Sequence, residues 1–169
     1  WKELLFVVER EADGREPLVR CINFGLDGIQ SFSFTLEEER SAVLVPAGQV
    51  GTYLYEPNAS VLKAGAFKQI AVRTGVKKLQ VNSHLYTADH LVSDFPGRRF
   101  RVDEVLSFTG KLCKGLSKTI PQANITVRNF PLSVEELRKR TKITDGGHVY
   151  LFATTLVDGE KVLVKCSKA

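Results

Sequence analysis

Residues 99–166 alternate strand and helix signals in one order, and that order limits the fold more than any other feature of the chain. RFRVDEVLSF over 99–108 reads as a strand and 110–119 as a short helix. ANITVRN over 123–129 reads as a second strand and 133–142 as a second helix. Residues 148–157 and 160–166 then form a hairpin about the turn dipeptide Asp158-Gly159. The order βαβαββ calls for a sheet with helices packed against it. The helix at 133–142 carries its own start signal. Ser133 and Glu136 have capping-box spacing, and Leu132 and Leu137 hold the two hydrophobic-staple positions.

The first half is less regular. Residues 4–8, 18–24 and 28–34 read as strands, separated by the turn dipeptides Asp13-Gly14 and Asp27-Gly28, which predicts an antiparallel meander. A short strand at 53–55 stops at Pro57-Asn58, where Asn58 suits an N-cap. The spacing of Leu62, Ala66, Phe67, Ile70 and Ala71 predicts one helix over 59–74, ended by Gly75. Residues 76–81 return to a strand. Residues 82–97 are polar, aromatic and irregular, and a domain boundary falls near Pro96-Gly97.

Length and composition narrow the function classes. The chain has 169 residues, 43% apolar and 25% charged, enough for one ordinary domain or two small ones. No apolar run is long enough to cross a bilayer, and no signal-peptide pattern opens the chain. The sequence contains no Met and begins at Trp1, which leads to the expectation of a piece cut from a longer protein. Cys21, Cys113 and Cys166 are odd in number and widely spaced, so they suit neither metal knuckles nor redox pairs. They read as reduced thiols in a cytosolic, cytoplasmic protein.

Charge is divided unevenly. Residues 1–97 hold 10 basic and 12 acidic groups, and residues 98–169 hold 14 and 7. The positive excess therefore belongs to the last 72 residues and favours an anionic partner there, nucleic acid above all. The candidate phosphate contacts are Lys111, Lys114, Lys118, Arg128, Arg138, Lys139, Arg140 and Lys142, next to Arg98, Arg99 and Arg101. Lys111, Lys114 and Lys118 share one helix face by spacing, and Phe130 and Tyr150 could offer stacking surfaces. Against this stands a plain alternative: Arg138, Lys139, Arg140 and Lys142 close a helix whose dipole favours cations there.

No catalytic constellation accompanies the charge. There is no G-x-G cluster, P-loop or nucleophile elbow, and Gly146-Gly147 follows a helix, where it reads as a helix C-terminal turn. The dense polar run of His84, Tyr86, Asp89, His90 and Asp94 matches no metal spacing. It reads either as a structured loop whose side chains cap its own backbone and pack on the sheet or, in preference to catalysis, as an interface with a neighbouring domain, as do Glu56 and Asn58 of Glu56-Pro57-Asn58, where Asn58 also serves as a cap.

Several segments together resemble a bacterial family of class I SAM-dependent methyltransferases. They are Tyr55–Ala59, Leu62–Phe67, Asn82–Thr87, Asp94–Arg98, Arg128–Pro131, Asp145–Gly147 and Tyr150–Thr155. The resemblance implies two small α+β domains, a ferredoxin-like one over 1–97 and a THUMP-like one over 98–169, following a catalytic domain that lies outside this chain. S-adenosylmethionine is implied for the parent protein and no catalytic, cofactor or metal residue for this part. The expected function is to bind or position a structured RNA for the upstream methyltransferase domain. The alternative is a structural module that packs on that domain without touching nucleic acid.

Overall fold

The computed structural model describes residues 3–11 and 13–169 and builds them on two sheets. A two-stranded ribbon pairs β1 (Leu18–Gly25) with β2 (Gly28–Thr35). The second sheet has seven strands: β3 (Tyr53–Pro57), β4 (Lys77–Lys78), β5 (Tyr86–Ala88), β6 (Gly97–Ser107), β7 (Asn124–Arg128), β8 (Tyr150–Thr155) and β9 (Lys161–Lys168). Their order is β4-β5-β3-β6-β9-β8-β7, antiparallel except for the parallel pair β7–β8. Helices α4 (Gly110–Thr119) and α5 (Val134–Thr141) complete the βαβαββ order over 97–168. The fold is thus a ferredoxin-like domain followed by a THUMP-like one.

The chain passes from Pro96 straight into β6, which pairs with β3 from the first half, so the two halves share one continuous sheet. Alternation along the strands sorts the side chains. One face carries Leu54, Phe100, Phe152, Val162, Val164 and Cys166, sealed by Ala47, Leu79 and Leu85 from the loops. The opposite face packs on the helices. Leu151, Ala153 and Leu163 meet Leu116, Ile120, Leu137 and Ile143 of the α4–α5 layer. Tyr55 and Tyr86 meet α2 (Ala59–Ala64) and α3 (Gln69–Thr74). Burying each large apolar side chain contributes on the order of 1.5–3 kcal/mol, so these layers define the register.

The sheet is curled. Strand β7 lies four places from β3, roughly 19 Å in a flat sheet, yet Arg128 at its end reaches the Glu56 carboxylate of β3 at 3.2 Å. The two sheet edges also meet. Asn129 donates to Gln80 Oε1 at 3.1 Å and to Ser83 Oγ at 3.3 Å, and Ser83 donates to the Thr155 carbonyl at 2.7 Å. These side-chain bonds bring the edges together where no ladder does.

Several expectations change. Residues 4–8 form no strand; all five are irregular and exposed, because no partner strand lies beside them among the described residues. The helix expected over 59–74 is two helices. Gly65 takes φ 75° and stops the first; the second begins where Glu39, 29 residues away, accepts from the backbone of Lys68 and Gln69 at 2.8 and 2.7 Å. Glu39 lies on α1 (Leu36–Ser41), a helix unforeseen despite a complete capping box between Thr35 and Glu38. The strand expected at 76–81 shrinks to Lys77–Lys78. Asn58 holds the N-cap position of α2, but its side chain makes no cap bond and donates to Gln30 Oε1 at 2.8 Å. Helix α5 ends on Lys142, at φ 63°, before Gly146-Gly147 is reached.

Candidate nucleic-acid interface

Helix α4 begins because Thr109 Oγ1 accepts from Leu112 N at 3.1 Å, satisfying an otherwise orphaned donor. Cys113, Leu116 and Ile120 then turn inward and leave Lys111, Lys114 and Lys118 on the solvent face. Helix α5 begins at Ser133, whose hydroxyl accepts from Glu136 N at 3.2 Å. It buries Leu137 and Thr141 and exposes Lys139 and Arg140 near its end. Lys142 follows in the left-handed conformation, its N–H bonded to the Arg138 carbonyl at 2.8 Å. The shared core beneath α4 and α5 places both helices on one side of the sheet. The buried Cys113 thiol of α4 registers the contact: burial raises its pKa, and the charge of Arg140 on α5 pulls it back down.

Eight residues were singled out, and the structure divides them. Arg128 and Arg138 are committed internally. Arg138 donates to Asp145 at 2.7 Å and to the carbonyls of Ala123 and Ile143 at 3.1 and 3.3 Å, tying α5 to the loop beyond it. Arg128 pairs with Glu56. Lys111, Lys114, Lys118, Lys139, Arg140 and Lys142 make no ion pair among the described residues. All six are exposed. The dipole explanation accounts for α5 but not for α4, where Lys111 and Lys114 stand in the first half of the helix. Phe130 and Tyr150 are half-buried, and each already packs on another ring. Phe130 packs edge-on against Phe108 and Tyr150 lies tilted against Phe100, each with ring centroids 4.9 Å apart.

The residues read as an outward interface mostly bond within the chain. Glu56 is 9% exposed and accepts from Arg98 at 2.9 Å and from Arg128 at 3.2 Å. Tyr86 is fully buried and donates to the Phe67 carbonyl at 2.6 Å. His84 stacks on Phe67 with centroids 4.0 Å apart, its Nδ1 buried without a partner. Its pKa is lowered by burial first, then by the charges of Lys78 and Arg128. Asp89 accepts from Thr52 N at 3.1 Å. The exposed His90 contributes its carbonyl to the Tyr55 hydroxyl at 3.0 Å.

Sequence reasoning missed Lys78, which is 2% exposed, lies 4.7 Å from the Phe67 ring and donates to the Val81 carbonyl at 2.6 Å. The neighbouring Lys77 is exposed, and nothing in the pair tells them apart until the pairing of Lys78 with buried Tyr86 is known.

The described residues hold no cluster of three or more His, Cys, Asp or Glu suited to a metal ion. No helix is long and apolar enough to cross a membrane. Gly146 and Gly147 sit against the side chain of Gln122, which lies 3.0 and 3.1 Å from where their Cβ atoms would stand. That close packing belongs to the turn after α5, where the Gln122 amide donates to the Asp145 carbonyl at 2.7 Å.

Two family models match the chain, a ferredoxin-like domain over residues 53–96 and a THUMP domain-like one over 97–168. The chain is also similar to a solved structure, that of a "putative methyltransferase from Porphyromonas gingivalis W83". The two are 47% identical and superpose with a TM-score of 0.86 over 90% of this chain. The chain spans 38% of that protein's length. No curated protein matches it.

Proposed function

We propose that this chain, a ferredoxin-like domain followed by a THUMP-like one, is a non-catalytic accessory region of a SAM-dependent methyltransferase that holds a structured RNA substrate on its α4–α5 face. The observation that carries this is the set of six exposed cations, without an ion-pair partner among the described residues, on two adjoining helices and the cap of the second, in a half of the chain with 14 basic and 7 acidic groups. Such a surface meets phosphates without reading sequence, and its affinity falls with salt. The similarity to a methyltransferase more than twice as long supports a catalytic partner domain, which would bring S-adenosylmethionine and the reacting groups. The polypeptide is expected to be cytoplasmic.

Filter binding of the 169-residue chain to bulk tRNA tests the reading. Binding is expected at low salt and should weaken as salt rises. Absence of binding at low salt overturns it.

A further inference from the structure

The ribbon β1–β2 has one ordinary face and one that is not. Inward, Cys21, Phe32 and Phe34 are buried in the core formed with α2 and α3. Outward, alternation aligns Ile22, Phe24 and Ile29, with Phe24 directly opposite Ile29 and Leu26 in the turn. They are 44, 78, 68 and 107% exposed respectively. A half-buried antiparallel ribbon ordinarily turns polar residues to water, and four clustered apolar side chains on a projecting tip mark a contact surface. The run Leu4–Val8 is 69–89% exposed as well. The THUMP-like half shows nothing comparable, its large exposed apolar residues being the isolated Val105 and Val157.

We infer that the outer face of this ribbon seats a second folded domain of the same polypeptide. The inference rests on the accessory-region reading above and assigns that reading its contact surface. The similar protein indicates the occupant's size: more than half of that 47%-identical relative lies outside the part this chain spans. The ribbon's own composition indicates the occupant's chemistry. The ribbon carries one cation, Arg20, and one anion, Asp27, so the matching surface is apolar rather than strongly charged. A domain of the same polypeptide covers the tip permanently, which removes the aggregation hazard of an exposed apolar ribbon.

Deuterium exchange of the complete gene product, set beside the 169-residue chain, tests this. The amides of Phe24–Ile29 should exchange rapidly in the shorter chain and about 100-fold more slowly in the complete product. Phe24→Asp in the complete product should return them to fast exchange and leave protection across residues 97–168 unchanged. The Phe24 side chain is mostly in solvent, so the variant keeps its fold. Equal rates in both proteins overturn the inference. So does protection that arises in the shorter chain alone as its concentration rises, since a second copy is then the occupant. RNA binding by the same proteins separates the two proposals: its loss from the unsubstituted proteins refutes the accessory role and leaves the ribbon result standing.

Discussion

Replacing Glu56 by alanine removes the group that ties β3 to both β6 and β7 across the curled sheet. Its carboxylate accepts from Arg98 at 2.8 and 2.9 Å and from Arg128 at 3.2 Å, joining β3 to β6 beside it and to β7 at the far edge. Breaking a fully buried ion pair costs about 3–5 kcal/mol, and an exposed pair contributes about 0–1 kcal/mol. The carboxylate is 11% exposed, but the two guanidinium groups are 50% and 37% exposed and rehydrate in part once stranded. The expected loss lies between those limits, at about 2 kcal/mol. For a chain of this length that lowers the melting temperature by about 4–8 °C. Glu56→Gln keeps the volume and one acceptor and should lose about half as much. Urea denaturation of both variants, with a double-mutant cycle against Arg128→Ala, reads the effect, and the cycle should show coupling of about 1 kcal/mol. A Glu56→Ala stability within about 0.5 kcal/mol of wild type refutes the claim that this carboxylate holds β7 against β3.

Gly97→Ala tests how closely β6 starts against β3. An added Cβ would overlap the Glu56 carbonyl oxygen and press on the Phe95 ring, so a loss of about 3 kcal/mol is expected by denaturation; a neutral result contradicts the close approach. Lys78 gives a pH test. Burial lowers its pKa from 10.5 to about 8, so between those values the unfolded chain holds the extra proton and stability rises with pH. The stability difference between wild type and Lys78→Met should therefore move in favour of wild type by about 1–3 kcal/mol from pH 8 to 10.5. The contact of the cation with the Phe67 ring at 4.7 Å trims the upper figure. A difference that stays flat over that window contradicts the lowered pKa.

The second half of the fold was legible because its signals are local. The capping serine at 133, the period of 110–119 and the Asp158-Gly159 turn each act within a few residues, and α4, α5 and the final hairpin stand where those signals put them. The first half depends on distant partners. The start of α3 is written in Glu39, and the interruption at Gly65 is invisible to a periodicity that continues through it. Residues 4–8 have the composition of a strand and no strand to pair with. The candidate site divided on the same principle. Exposure of Lys111, Lys114 and Lys118 follows from helix spacing alone. The commitments of Arg128 to Glu56 and of Arg138 to Asp145 are tertiary, and no reading of spacing distinguishes those two arginines from their neighbours.

The salt dependence of RNA affinity, measured for the wild-type chain and for Lys111→Ala/Lys114→Ala/Lys118→Ala, is the most direct test of the basic α4–α5 face. Each phosphate contact contributes about 0.7–0.9 to the slope of log affinity against log salt. Removing three such contacts should make the slope shallower by about 2–3 while α4, whose Cys113 and Leu116 are untouched, stays folded. An unchanged slope in the folded variant contradicts the account.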